Sequence, residues 1–148
     1  MSAPGTLTVP NSAVVPQPQT LHQMLVNDAT RQPFTGQSPT IQVGAGAGNG
    51  SGGSATIAAN NTCSGALVTI NTGSANNSTN AIAAYVAFPA AFAAPPIVTL
   101  ASANAAAATI AVADQVYVVA STTGIAVNTS GGALNNSTTY QWYIGWQG

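Results

Sequence analysis

The stretch TTYQWYIGWQG, residues 138–148, holds both tryptophans and two of the four tyrosines of a 148-residue chain. Read with a period of two, it places Tyr140, Trp142, Ile144 and Trp146 on one face and Gln141, Tyr143 and Gly145 on the other. Such alternation belongs to a strand with one face in a core. It turns most of the aromatic surface inward and leaves Tyr143, with the terminal Trp146, to touch a neighbour. Large side chains are scarce elsewhere, so this strand supplies a large share of the core, and Trp142 is the residue whose loss costs most.

The same period runs upstream. In GALVTINT, Ala66, Val68, Ile70 and Thr72 share one face, with Leu67, Thr69 and Asn71 on the other. In NAIAAYVAFP, Ile82, Ala84, Val86 and Phe88 point one way and Tyr85 the other. IVTL, QVYVVAST and GIAVNT continue with β-branched residues, between clusters rich in Gly, Asn, Ser and Pro. The segment ANAAAATIAVAD stays open between helix, which its alanines favour, and strand, which Thr109, Ile110 and Val112 favour. The expectation is an all-β domain, a β-sandwich or jelly roll, over residues 40–148. Small outer residues would let another subunit approach closely.

Residues 1–39 read as an extended, proline-rich arm, punctuated by Pro4, Pro10, Pro16, Pro18, Pro33 and Pro39. Leu21, Met24, Leu25 and Asp28 stand at helical spacing. Residues 20–30 therefore fit a short helix capped by Thr20, or an extended segment clipped onto a neighbour. The start of the chain has no basic stretch followed by an apolar run, so no secretory signal is expected.

Charge is the sparsest ingredient. Only 2% of residues are charged, and Asp28, Arg31 and Asp114 are all of them. One Arg cannot neutralise a phosphate backbone, so nucleic-acid binding is excluded, as is a basic patch for anionic membranes. The 46% hydrophobic content argues against disorder. A surface lacking self-repulsion suits a packed assembly. The uncharged run from Ala81 to Val98 reaches the length of a membrane span, yet Pro89, Pro95 and Pro96 interrupt it. Two strands joined by a proline-bearing turn fit it better.

Residues able to do chemistry are few. A lone Cys63 gives neither a disulfide framework nor a cysteine zinc site. His22, the one histidine, sits in the arm, far in sequence from any Ser-Asp pairing. Asp28 and Asp114 are the only carboxyl side chains, and Asp114 fits a turn residue at a strand start. No cluster fits a metal, and no cofactor is expected. GAGAGNGSGGS, residues 44–54, has GxG spacing, but a strand-like segment follows it instead of a helix. It reads as a flexible hairpin loop. Asn-x-Ser/Thr triplets at Asn60, Asn76, Asn77, Asn128, Asn135 and Asn136 are accounted for by abundance and turn chemistry. The chain reads as a protein without catalysis.

The order of segments from Ser38 to Gln147 resembles a domain recurring in tailed-bacteriophage virion proteins. An SPT-type strand leads to a Gly-Ala-rich loop, then to an F-x-x-x-[FY]-x-x-x-P pattern with an [IV]-x-L strand. Phe88, Phe92, Pro96, Val98 and Leu100 match it. An N-A-A-A segment (Asn104 to Ala107), a V-Y-V strand (Val116 to Val118) and a T-T-G-[FI]-x-[VL] strand (Thr122 to Val127) follow. Leu134, Thr138, Tyr140 and Trp142 stand in the final element, where this chain departs from the family's N-Y-x-[IV]-x-G ending with Tyr143, Ile144 and Trp146.

The resemblance implies a virion structural protein, made in the host cytoplasm and carried on the outer capsid surface. Its expected partners are the major capsid protein and itself, as a homotrimer. As a capsid cement or decoration protein it would bridge neighbouring subunits, and an arm of 39 residues could extend on the order of 130 Å. Leu21, Met24, Leu25, Arg31 and Phe34 are the candidate capsid contacts. Phe88, Phe92, Tyr140, Trp142, Tyr143, Ile144 and Trp146 are the core or interface candidates. The alternative is a tail-fibre or head-fibre module that recognises a host glycan by stacking on Tyr143 or Trp146.

Overall fold

The computed structural model describes residues 38–58, 65–75, 77–112 and 116–148. The arm candidates, His22, Asp28, Cys63 and Asp114 lie outside the described residues. Eight strands are present: β1 (Thr40–Val43), β2 (Ser54–Ile57), β3 (Gly65–Asn71), β4 (Ile82–Ala87), β5 (Ile97–Ser102), β6 (Val116–Ala120), β7 (Gly124–Thr129) and β8 (Thr139–Gln147). They form two four-stranded antiparallel sheets. One runs β1-β4-β7-β6 and the other β2-β3-β8-β5. The expected all-β sandwich is the fold.

β8 is a central strand, with β3 on one side and β5 on the other. Its alternation holds: Tyr140, Trp142, Ile144 and Trp146 are buried, while Thr139, Tyr143 and Gln147 are exposed. Trp146 does not serve as a free contact, because only 3% of its surface is exposed. β3 alternates in step and buries Ala66, Val68 and Ile70. From the facing sheet, Ala84, Val86, Ile125 and Val127 complete a dry core. Ile82 departs from the expected inner face and is exposed, because a register irregularity between Ile82 and Ala84 breaks the period.

Ala105–Val112 is a helix, α1. Asn104 caps it: its Oδ1 accepts from Ala107 N at 2.9 Å, and its Nδ2 donates to Thr139 O at 2.9 Å. Ala107 and Ile110, three residues apart on the helix, are buried in the common core. The Gly-Ala-rich loop is not a hairpin. Its flanking strands belong to facing sheets, and it crosses between them through two short 3-10 turns, Ala45–Ala47 and Asn49–Ser51. Ala47 is fully buried there.

The sandwich has two unlike ends. At one end lie the Phe88–Pro96 connection, the Ser121–Thr123 turn, Gln147 and the start of β1. The chain therefore enters and leaves the described domain at the same end, and Pro39 is buried at the foot of β1. At the other end lie the Gly44–Gly53 crossover, the Thr72–Ala81 loop, α1 and the Ser130–Thr138 loop.

Candidate functional site

Apart from tyrosine phenols, the described residues contain no ionisable side chain. Among them no three of His, Cys, Asp or Glu gather. No helix among the described residues is long and apolar enough to cross a membrane, and the Ala81–Val98 run holds β4, a loop and the start of β5. What the described residues present to a partner is therefore shape, amides, hydroxyls and apolar side chains.

The core candidates fall into two groups. Tyr140 and Trp142 stack with ring centroids 5.5 Å apart and planes 15° from parallel. The Tyr140 hydroxyl accepts from Asn135 N at 3.0 Å, so its polar tip is satisfied where the ring is buried. Phe88, Phe92 and Trp146 form a second cluster. Phe88 meets Phe92 edge-on at 5.0 Å and Trp146 at 5.6 Å. Backbone bonds pin this cluster to the β6–β7 turn: Phe88 N to Thr123 O at 2.9 Å and Phe92 N to Thr122 O at 2.8 Å. Ile144 is buried between the two groups on the same strand face. These residues make the frame.

Two surfaces remain apolar and open. The first is the outer face of the sheet containing β8. Tyr143, 59% exposed, is flanked in register by Leu67 on β3 and Ala101 on β5. The next row on that face is Gly65, Gly145 and Thr99. A Cβ at Gly65 would sit 3.1 Å from Ile144 O and 3.6 Å from Gly145 Cα, so the two glycines pair closely across the strands.

The second surface is the side of the sandwich where edge strands β5 and β6 lie together. Ile97, 76% exposed, lies on the same outer face as Thr99 and Tyr143, whereas Val119, 51% exposed, and Tyr117, 48%, stand on the outer face of the facing sheet. Natural edge strands are usually blunted by charges, prolines, bulges or a covering element. Neither β5 nor β6 contains a charge or a proline, and both pair in continuous register with their single neighbour. A bond from Ser121 N to Gly124 O at 2.8 Å sets the alternation on β6. Tyr117 and Val119 thus bond to β7, and the backbone groups of Val116, Val118 and Ala120 point away from the sheet. By the same rule, the 2.8 Å bond from Ala103 N to Gln141 O turns Val98, Leu100 and Ser102 outward on β5.

Sequence reading placed Tyr143 correctly and missed the β5/β6 side. A signal was present: VYVVA is apolar on both faces of the strand, whereas an outer strand with one solvated face alternates.

Compared with family models, with characterised proteins and with solved structures, the chain matches none.

Proposed function

We propose that the chain is a non-enzymatic structural virion protein that decorates and cements an assembled bacteriophage capsid, bridging major capsid protein subunits from the outer surface as a homotrimer. The observation that carries this reading is the pair of neighbouring edge strands β5 and β6, neither containing a charge or a proline, with apolar side chains exposed on both outer faces of the sandwich: Ile97 on one, Tyr117 and Val119 on the other. A protein living free would expose these groups to aggregation. One living on a particle has somewhere to bury them. The order of motifs shared with tailed-phage virion proteins supplies the kind of particle, and an arm rooted at one end supplies reach.

The test is binding to mature capsids. Removing residues 1–37, which stops short of buried Pro39, should abolish co-sedimentation while Trp142 and Trp146 keep their buried fluorescence. Undiminished binding by the shortened chain would defeat the arm's role. Counting copies in purified particles separates the locations: a number comparable to the capsid subunits fits decoration, and a handful fits a tail.

Exposed Tyr143 favours a second reading, a fibre module for a host glycan, since a sugar ring can stack on an exposed aromatic face. Loss of glycan-array binding in Tyr143→Ala, with capsid binding intact, would select it.

A further inference from the structure

We propose that Asn49–Gly50 is a site of spontaneous modification, where the Asn49 amide closes onto the Gly50 nitrogen as a succinimide and opens to aspartate or isoaspartate. This stands independently of the capsid reading. The chain contains one Asn-Gly step, and it lies in the crossover loop. Both residues are exposed, and the 3-10 turn that holds them contains no buried residue. The Gly50 N–H lies ahead of the turn's first bond, which runs from Ser51 N to Gly48 O at 2.9 Å. Gly48 at φ 68° and Gly52 at φ 91° flank the turn and leave the backbone free to rotate. A Cβ at Gly50 would meet no atom within 4 Å, so no packing resists the swing that brings Gly50 N to Asn49 Cγ.

The chemistry needs only water. Gly50 N loses its proton to base and attacks Asn49 Cγ. The N–Cγ bond forms as the Cγ–Nδ2 bond breaks, and ammonia leaves with a proton returned by solvent. Water then opens the ring. Cleavage between Gly50 N and Cγ gives aspartate; cleavage at the main-chain carbonyl gives isoaspartate, whose backbone runs through the side chain. Net, one water enters and one ammonia leaves. Either product puts a carboxylate where the described residues have no charged side chain, in a chain whose formal net charge is -1.

Other asparagines are held differently. Among the described residues, Asn-Ser steps occur at Asn77 and Asn136. Asn77 Nδ2 donates to Leu134 O at 2.8 Å and to Asn136 Oδ1 at 3.0 Å, which ties both side chains down. A tied amide reaches the next nitrogen only by giving up its partners. At Asn49 the consequence is local. Isoaspartate adds an atom to the backbone between Ala47 O, which accepts from Gly73 N at 2.9 Å, and Ser51 O, which accepts from Ser74 N at 3.0 Å.

The experiment is to hold the folded full chain at mildly alkaline pH and map its peptides by mass. The peptide containing Asn49 should gain about one dalton and split into two forms, and isoelectric focusing should show one added negative charge. Gly50→Ala, whose methyl the loop has room for, should slow the gain by about tenfold or more, and Asn49→Gln should remove it over the same period. In the isolated isoaspartate form, the Gly73 and Ser74 amides should exchange about tenfold faster or more; unchanged exchange would overturn the effect on the loop. An Asn49 that stays unmodified in the folded chain would overturn the proposal, because the turn would then protect it. So would an equal rate in Gly50→Ala, or modification of Asn77 or Asn136 as fast as that of Asn49.

Discussion

The two ends of the sandwich are closed by different physics. At the end where the chain enters and leaves, Phe88, Phe92 and Trp146 pack ring against ring. At the far end a small-residue network does the same work with hydrogen bonds. Buried Thr129 donates from Oγ1 to Ser78 O at 3.0 Å and accepts from Ala81 N at 3.1 Å. Thr72 Oγ1 donates to Asn135 O at 2.6 Å and accepts from Thr138 N at 2.8 Å. Asn77 Nδ2 reaches Leu134 O at 2.8 Å and Asn136 Oδ1 at 3.0 Å. Gly73 N, Ser74 N and Ser78 N bond the backbone of the crossover loop. Aromatic packing tolerates sequence drift if volume is kept. A network of short donors and acceptors does not, because each orphaned partner stays buried.

The difference can be broken at several points. Trp142→Ala strikes the middle, where the stack on Tyr140 links the core to the hydrogen-bonded end. It should cost about 3–5 kcal/mol and lower the melting temperature by roughly 10 °C or more. A shift of about one or two degrees would show that Trp142 is not core. Phe88→Ala should cost about 3 kcal/mol and raise amide exchange mainly around residues 88–96 and 121–124, leaving Thr72–Ala81 protected. Uniform loosening at both ends would mean that they do not act separately.

Thr129→Val keeps the shape and removes the hydroxyl, stranding Ala81 N. A loss of about 1–3 kcal/mol is expected in urea unfolding, where Thr129→Ser should recover most of it. Salt offers a finer comparison. Among the described residues no charged side chain is present, so salt has little to screen there. The melting temperature should move by less than about 2 °C between 0.05 and 0.5 M sodium chloride. Smallest of all, Tyr143→Ala should alter stability by no more than about 0.5 kcal/mol, since it leaves both ends untouched.

The inner face of β8 was largely legible in the sequence, apart from the burial of Trp146. Alternation along β8 located Tyr140, Trp142, Ile144 and Tyr143, and periodicity located β3. What escaped followed from tertiary geometry. The irregularity at Ile82 is invisible to a period count. The Gly-Ala-rich loop looks like a hairpin because nothing local says that its two strands belong to different sheets. Helix α1 had a local signal in Asn104, an N-cap residue whose side chain makes two of its three bonds to β8 and one to the helix. The hydrogen-bonded end was hidden for another reason. Its Thr, Asn and Ser residues have the composition of any exposed turn, and only the fold separates buried Thr72 and Thr129 from their exposed neighbours. The edge-strand surface was half legible, since VYVVA carries its second apolar face openly.

Entry and exit at one end leave the opposite end as a free pole. There, a side chain added at Gly50 would meet no other atom within 4 Å, whereas one at Gly53 would strike Ala47 O. A peptide grafted at Gly50 would stand at the end of the sandwich opposite Pro39 and Gln147. A fused peptide at Gly50 would therefore extend from the pole farthest from Ser38, which makes Gly50 the place for an insertion that leaves the core and the aromatic end untouched.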